Sequence, residues 1–146
     1  MPVSGEQMLC LIAEILTVAS TSDDYDDFRR AVYAREDDFF RPITCDSRET
    51  VPITLALFQI AEGDVEKVVT YGANFGRDAD TIATMGGAIA GAYQGIAKIR
   101  EDWVKKAKQL TSVDQDELAQ RLILAVRSKF DSQEPSRQAF TAMQSA

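Results

Sequence analysis

A chain of 146 residues with 16 lysines and arginines against 23 aspartates and glutamates carries a formal charge of −7, and it contains no histidine. The missing imidazole excludes a Ser-His-Asp triad, a Cys-His pair, His-ligated zinc and a histidine general base near neutral pH, so chemistry must run through carboxylates, hydroxyls or a bound ion. The length suits one domain, the apolar share of 45% fits a globular core, and the acidic balance opposes binding to nucleic acid or to an anionic membrane surface.

The opening MPVSGEQMLCLIAEILTVAS lacks a basic stretch, and Glu6 and Glu14 interrupt its apolar run, so it reads as neither signal peptide nor anchor. Ser4 with Gln7 has the form of a capping box. Met8, Leu9, Leu11, Ile12, Ile15, Leu16 and Ala19 then recur at three- and four-residue steps, which predicts an amphipathic helix ending near Ser20. Asp23 or Asp24 caps a second helix that turns Tyr25, Phe28 and Val32 to a core and ends before the Arg35 to Asp38 stretch. Residues 39–50, FFRPITCDSRET, follow neither period and contain Pro42; they read as a long loop, a kind of segment that often carries function. Thr50 is the expected N-cap of the next helix, with Pro52 in the first turn, where a missing N–H costs nothing. VPITLALFQIAEG is apolar nearly all round, as a buried helix is, and Gly63 closes it.

Asp64 caps a helix whose Val65, Val68 and Val69 share one face up to Gly72. After the loop ANFGRD comes TIATMGGAIAGAYQGIA, with Ala83, Gly87, Gly91 and Gly95 at four-residue steps. A small-residue stripe lets another backbone approach closely; the run holds Gln94 and lies between Asp80 and Lys98, so it reads as a packed central helix rather than a membrane span. Tyr93 on it is expected in the core. Trp103 anchors the basic segment WVKKAKQL, and Asp114 with Glu117 caps a last helix in which Leu118, Leu122, Val126 and Lys129 line up to about Phe130. The expected organisation is an all-α, compact multi-helix bundle forming one domain over 1–130, followed by a polar, flexible tail over 131–146. Cys10 and Cys45 have no metal-ligand spacing, which suits a reduced, cytoplasmic setting; Cys10 reads as a core residue and Cys45 as an inert loop thiol.

The stretch Asn74-Phe75-Gly76-Arg77-Asp78-Ala79-Asp80-Thr81 stands apart. Two carboxylates and a hydroxyl at the mouth of a helix offer hard oxygen ligands suited to Mg²⁺ or Mn²⁺. Gly76 would allow a positive φ or a close approach to a ligand. The same residues are also ordinary helix caps and dipole partners, and spacing alone leaves both readings open. Arg77 would either meet a phosphate or neutralise Asp78 and Asp80, and Glu49 would either reach the substrate side or serve the solubility of a helix capped by Thr50.

From Glu49 to Trp103 the chain resembles the C-terminal half of the ADP-ribosylglycohydrolase superfamily. The shared pattern is Glu-Thr-Val-Pro, an apolar helix, a Gly-Asp turn, Asn-x-Gly-x-Asp-x-Asp-Thr-Ile, and Gly-Ala-Ile-Ala-Gly-Ala-Tyr-x-Gly before a Trp. The resemblance implies an all-α, metal-dependent hydrolase that cleaves the glycosidic bond joining ADP-ribose to a small molecule or a modified protein. It also implies that Asp78, Asp80 and Thr81 ligate a binuclear Mg²⁺ or Mn²⁺ centre, with Glu49, Gly76 and Arg77 on the substrate side. Family members are longer, and their N-terminal half supplies a Gly-Asp motif and a Thr-Asp-Asp cluster to the same centre. Thr21-Ser22-Asp23-Asp24 is the nearest string here, and it reads as a cap. A hard cation takes about six oxygens; this chain offers half, the rest being expected from an N-terminal half or a second copy. The rival reading is a non-catalytic relict serving as a helical interaction or oligomerisation domain. DxD-type glycosyl transfer is weaker, since no nucleotide-binding α/β pattern accompanies the motif.

Overall fold

A computed structural model describes the backbone of residues 5–144 and the side chains as far as Pro135. Ser4, half of the expected capping box, lies outside the described residues. The elements in chain order are α1 (Gly5–Thr21), α2 (Tyr25–Tyr33), α3 (Glu36–Phe39), α4 (Ser47–Ile60), α5 (Val65–Phe75), α6 (Ala79–Gln94), a single 3₁₀ turn (Ile96–Lys98), α7 (Glu101–Leu110) and α8 (Gln115–Gln144). No strand occurs among the described residues, and no helix among them is long and apolar enough to cross a membrane. The chain divides into two compact units, residues 1–100 and 101–146.

In the first unit α4 packs against both α1 and α6, and α5 lies along α6. That placement explains why α4 is apolar nearly all round: Pro52, Ile53, Ala56 and Leu57 are all buried. The main core joins Ile15 and Ala19 of α1, Phe28 and Val32 of α2, Phe39 of α3, Ile53, Ala56 and Leu57 of α4, Phe75 of α5 and Ile82 of α6. Phe28, Phe39 and Phe75 are fully buried, each worth about 1.5–3 kcal/mol of transfer free energy. Cys10 is exposed, off this face of α1.

The segment expected to be a loop begins on Phe39, the last residue of α3, and its final residues form the first turn of α4. Asp46, not Thr50, is the N-cap of α4: its Oδ1 accepts from the Arg48 N–H at 2.9 Å. Pro52 therefore falls in the second turn rather than the first. At the other end Glu62, with φ +53, takes the left-handed position, and the Gly63 N–H reaches the Phe58 carbonyl at 3.0 Å. This is a Schellman closure in which Gly63, itself at φ +74, follows the left-handed Glu62.

The glycines of α5 and α6 are explained by close helix packing. A Cβ on Gly72 would lie 2.8 Å from the Ala83 Cα, and one on Gly86 2.5 Å from the Val68 Cγ1. The predicted stripe is only half used: Ala83 and Gly87 face α5, whereas Gly91 has nothing nearer than the Ile99 Cδ1 at 3.7 Å. A four-residue step overshoots a helical turn by about 40°, so the stripe winds away from a straight neighbour. Tyr93, expected in the core, is 71% exposed and edge-on to Phe58.

In the second unit Asp114 caps α8, accepting from the Asp116 and Glu117 N–H groups at 2.9 and 3.1 Å. The helix runs on past Phe130 and through Pro135. Leu118, Leu122, Val126 and Phe130 share a face of α8 as the spacing predicts, yet all four are exposed.

Candidate functional site

The acidic stretch sits on the turn from α5 into α6, and long-range contacts fix that turn on both sides. At the end of α5 the Phe75 carbonyl accepts from Arg29 Nε and from Tyr33 Oη, both at 2.9 Å. Arg29 and Tyr33 are four residues apart on α2, hence on one face, and the Arg29 guanidinium also stacks on the Tyr33 ring at 4.5 Å. Gly76 follows with φ +96, and a Cβ there would collide with the Tyr33 hydroxyl. Glycine is required at this position for two reasons, conformation and space.

Arg77 is next, also left-handed at φ +59. Its Nε and Nη2 donate to the two Glu49 oxygens at 2.7 and 2.8 Å, and Nη2 also donates to the Arg41 carbonyl at 2.6 Å. The Glu49 side chain is fully buried and accepts a third bond from the Arg41 N–H at 2.7 Å. The guanidinium lies 4.7 Å from the Phe40 ring centroid. Burial of a lone carboxylate is costly, and the bidentate fork with its added backbone donor is what offsets that cost. The hydrogen bonds to Glu49 in turn raise the pKa of Arg77. Glu49 and Arg77, expected separately on the substrate side, thus hold each other. Glu49 is an interior anchor rather than a solubilising surface charge, and Arg77 turns to it rather than to Asp78 or Asp80.

Asp78 then occupies the N-cap position of α6 without capping. Asp24, Asp46 and Asp64 at the same position have ψ of −177°, 127° and 118°, and each accepts from a backbone N–H of its own helix. Asp78 has ψ of 58° and makes no side-chain cap bond. Its Oδ2 is buried with no hydrogen-bond partner. A buried carboxylate oxygen with no donor calls for an explanation, such as a water or an ion. Asp80 is exposed and Thr81 half-buried in the first turn of α6. Asp78, Asp80 and Thr81 are therefore together at one helix mouth. Among the described residues they are not joined by any further His, Cys, Asp or Glu into a cluster of three or more able to hold a metal.

Asp46 shows what an ordinary cap looks like here. Arg48, through its side chain and then its backbone N–H, holds the Asp46 carboxyl at about 2, below its usual 3.8. The residues that sequence reasoning missed are Arg29, Tyr33, Phe40 and Arg41. Their shared signal was weak, since a four-residue step on α2 does not say which carbonyl it serves.

The class of this all-α unit, with its glycine-tight helix pair and acidic helix mouth, comes from comparison with known proteins. The profile of the ADP-ribosylglycohydrolase family matches residues 5–132, and the chain belongs to that family. Among curated relatives, ADP-ribosylhydrolase ARH3 of Bos taurus is 41% identical over 50 residues, which is 34% of this chain and 14% of the relative. The Homo sapiens protein of the same name is 40% identical over 54 residues, 37% of this chain and 15% of the relative. That of Danio rerio is 44% identical over 60 residues, 41% and 16% respectively. The match thus spans less than a fifth of the length of these relatives. No solved structure matches significantly.

Proposed function

We propose that this chain supplies the Asp78, Asp80 and Thr81 side of a divalent-metal centre in a hydrolase that cleaves ADP-ribosyl glycosidic bonds. The observation that carries the reading is Asp78: a carboxylate at an N-cap that does not cap and has one buried, unpartnered oxygen. The donor set fits Mg²⁺ or Mn²⁺, being all oxygen and free of imidazole and thiol. Such an ion, when bound, would orient ribose hydroxyls and lower the pKa of a water. The chain's own part is to present Asp78 and Asp80 two residues apart, with the Thr81 hydroxyl beside them, on a turn fixed by Arg29, Tyr33, Glu49 and Arg77. The remaining positions would be filled by water in this chain alone and by oxygens of another segment or chain in the assembled site, and the substrate would be an ADP-ribosyl small molecule or a modified protein. Titration of the full chain with Mn²⁺ by calorimetry tests this. Saturable binding that disappears in Asp78→Ala and Asp80→Ala, with helicity retained, is expected; no Mn²⁺ or Mg²⁺ uptake by the folded wild type refutes it.

A second reading has its own observation. Leu118, Leu122, Val126 and Phe130 form an exposed apolar row on α8, as an association helix would. Light scattering on the wild type and on Leu122→Glu tests it: a dimer that becomes monomeric is expected, and a monomeric wild type refutes self-association.

A further inference from the structure

The turn between α5 and α6 uses an expensive construction where a cheap one was at hand. Left-handed backbone is unfavourable for any residue with a Cβ, because the Cβ crowds the following carbonyl. Glycine would take φ +59 at residue 77 without that crowding, yet an arginine stands there. Its long side chain also gives up its rotamer freedom, since it is pinned to Glu49 by Nε and Nη2, to the Arg41 carbonyl by Nη2, and to the Phe40 ring. The anchor at the other end is equally fixed, because the Glu49 side chain is fully buried and also accepts the Arg41 N–H.

The residue that changes in consequence is Asp78. A cap needs extended backbone, so that the carboxylate swings back over the first turn. Asp24, Asp46 and Asp64 have it, and each caps. After the left-handed Arg77, Asp78 has φ −89 and ψ 58, and its Oδ2 is left buried and free. Resting on the metal reading above, we infer that Arg77, anchored on Glu49, is the positioning residue of the site: it withholds the Asp78 carboxylate from its own helix and so keeps a ligand oxygen available. The fork matters as much as the charge, because only a guanidinium meets both Glu49 oxygens in one plane.

The test uses the full chain as wild type, Arg77→Gly and Arg77→Lys, with two readouts: Mn²⁺ affinity per folded molecule, and the amide signal and hydrogen exchange of Thr81, the N–H that a capping Asp78 would engage. In Arg77→Gly the turn relaxes, Asp78 caps, Thr81 exchange slows, and Mn²⁺ affinity falls about tenfold or more, the usual effect of losing a supporting partner. Arg77→Lys keeps a charge for buried Glu49 and covers the case in which Arg77→Gly does not fold; it lacks the fork, so a loss of affinity is expected there too. Wild-type affinity in either variant, with an unchanged Thr81 amide, overturns the positioning role while leaving the metal reading intact. If the wild type binds no Mn²⁺, the metal reading fails and the inference fails with it.

Discussion

Replacing Gly72 with alanine would put a methyl group where the backbones of α5 and α6 already meet. The new Cβ would lie 2.8 Å from the Ala83 Cα, 2.9 Å from its N and 3.2 Å from its Cβ. Carbon atoms settle at about 3.5–4.0 Å, so the two helices must part by roughly 0.7–1 Å, and a gap of that size forfeits a quarter to a half of each contact along the seam. No side-chain rotation can relieve the overlap, because two of the three obstacles are backbone atoms. Alanine is about 1 kcal/mol better than glycine inside a helix, whereas overpacking a rigid contact costs up to about 3 kcal/mol. The net expectation is a loss of about 2 kcal/mol. Gly91, on α6 but not against α5, is the control: its nearest neighbour would be the Ile99 Cδ1 at 3.7 Å, an ordinary contact, so Gly91→Ala should gain up to about 1 kcal/mol from propensity alone. Urea unfolding followed by circular dichroism measures both. A Gly72→Ala variant as stable as the wild type, or a Gly91→Ala variant that loses as much as Gly72→Ala, would refute the packing account.

Three further outcomes are expected. Gly76→Ala places a Cβ at φ +96 against the Tyr33 hydroxyl, and should lose at least about 2 kcal/mol together with Mn²⁺ binding; wild-type stability would contradict the geometry of the turn. Asp64→Ala removes a working cap and should cost about 1 kcal/mol. Asp78→Ala should cost less than about 0.5 kcal/mol, since a lost dipole contact is offset by removal of an unpartnered buried oxygen; equal losses in the two variants would show that Asp78 caps after all. The Asp46 carboxyl has its folded pKa depressed from 3.8 to about 2, so its contribution is complete above pH 3.8 and vanishes as pH falls toward 2. That contribution is at most about 2 kcal/mol, less any screening by solvent. The stability gap between wild type and Asp46→Asn should therefore close over that window in urea titrations, and a gap independent of pH would contradict the assignment.

Helix identity was legible wherever a polar cap preceded a periodic apolar run. Asp24 before Phe28 and Val32, Asp64 before Val65 and Val68, and Asp114 before α8 all behave as their positions predict. The start of α4 was not, because Asp46 and Thr50 are both good caps and only tertiary packing decides between them; Thr50 is needed inside, where it is buried. The row on α8 gave the helix but not its exposure, since an apolar stripe reports an amphipathic helix and not what covers it. At the candidate site the sequence displayed the acidic residues but not their support. Glu49 lies 28 residues before Arg77, and no local pattern reveals that two opposite charges so far apart share one buried fork. Spacing also could not separate a capping Asp78 from a non-capping one, since the difference lies in a single ψ angle.

The five hydrogen bonds that pin the acidic turn reach across 28 (two of them), 36, 42 and 46 residues of chain. These long-range bonds tie the geometry of the turn to α2, the 40s segment and α4 assembled around it. Anything that takes up the free Asp78 oxygen therefore selects the folded chain and must stabilise it, by about 2.7 kcal/mol at a hundredfold excess over its Kd. The thermal midpoint becomes a direct gauge of occupancy at this turn, readable without any substrate.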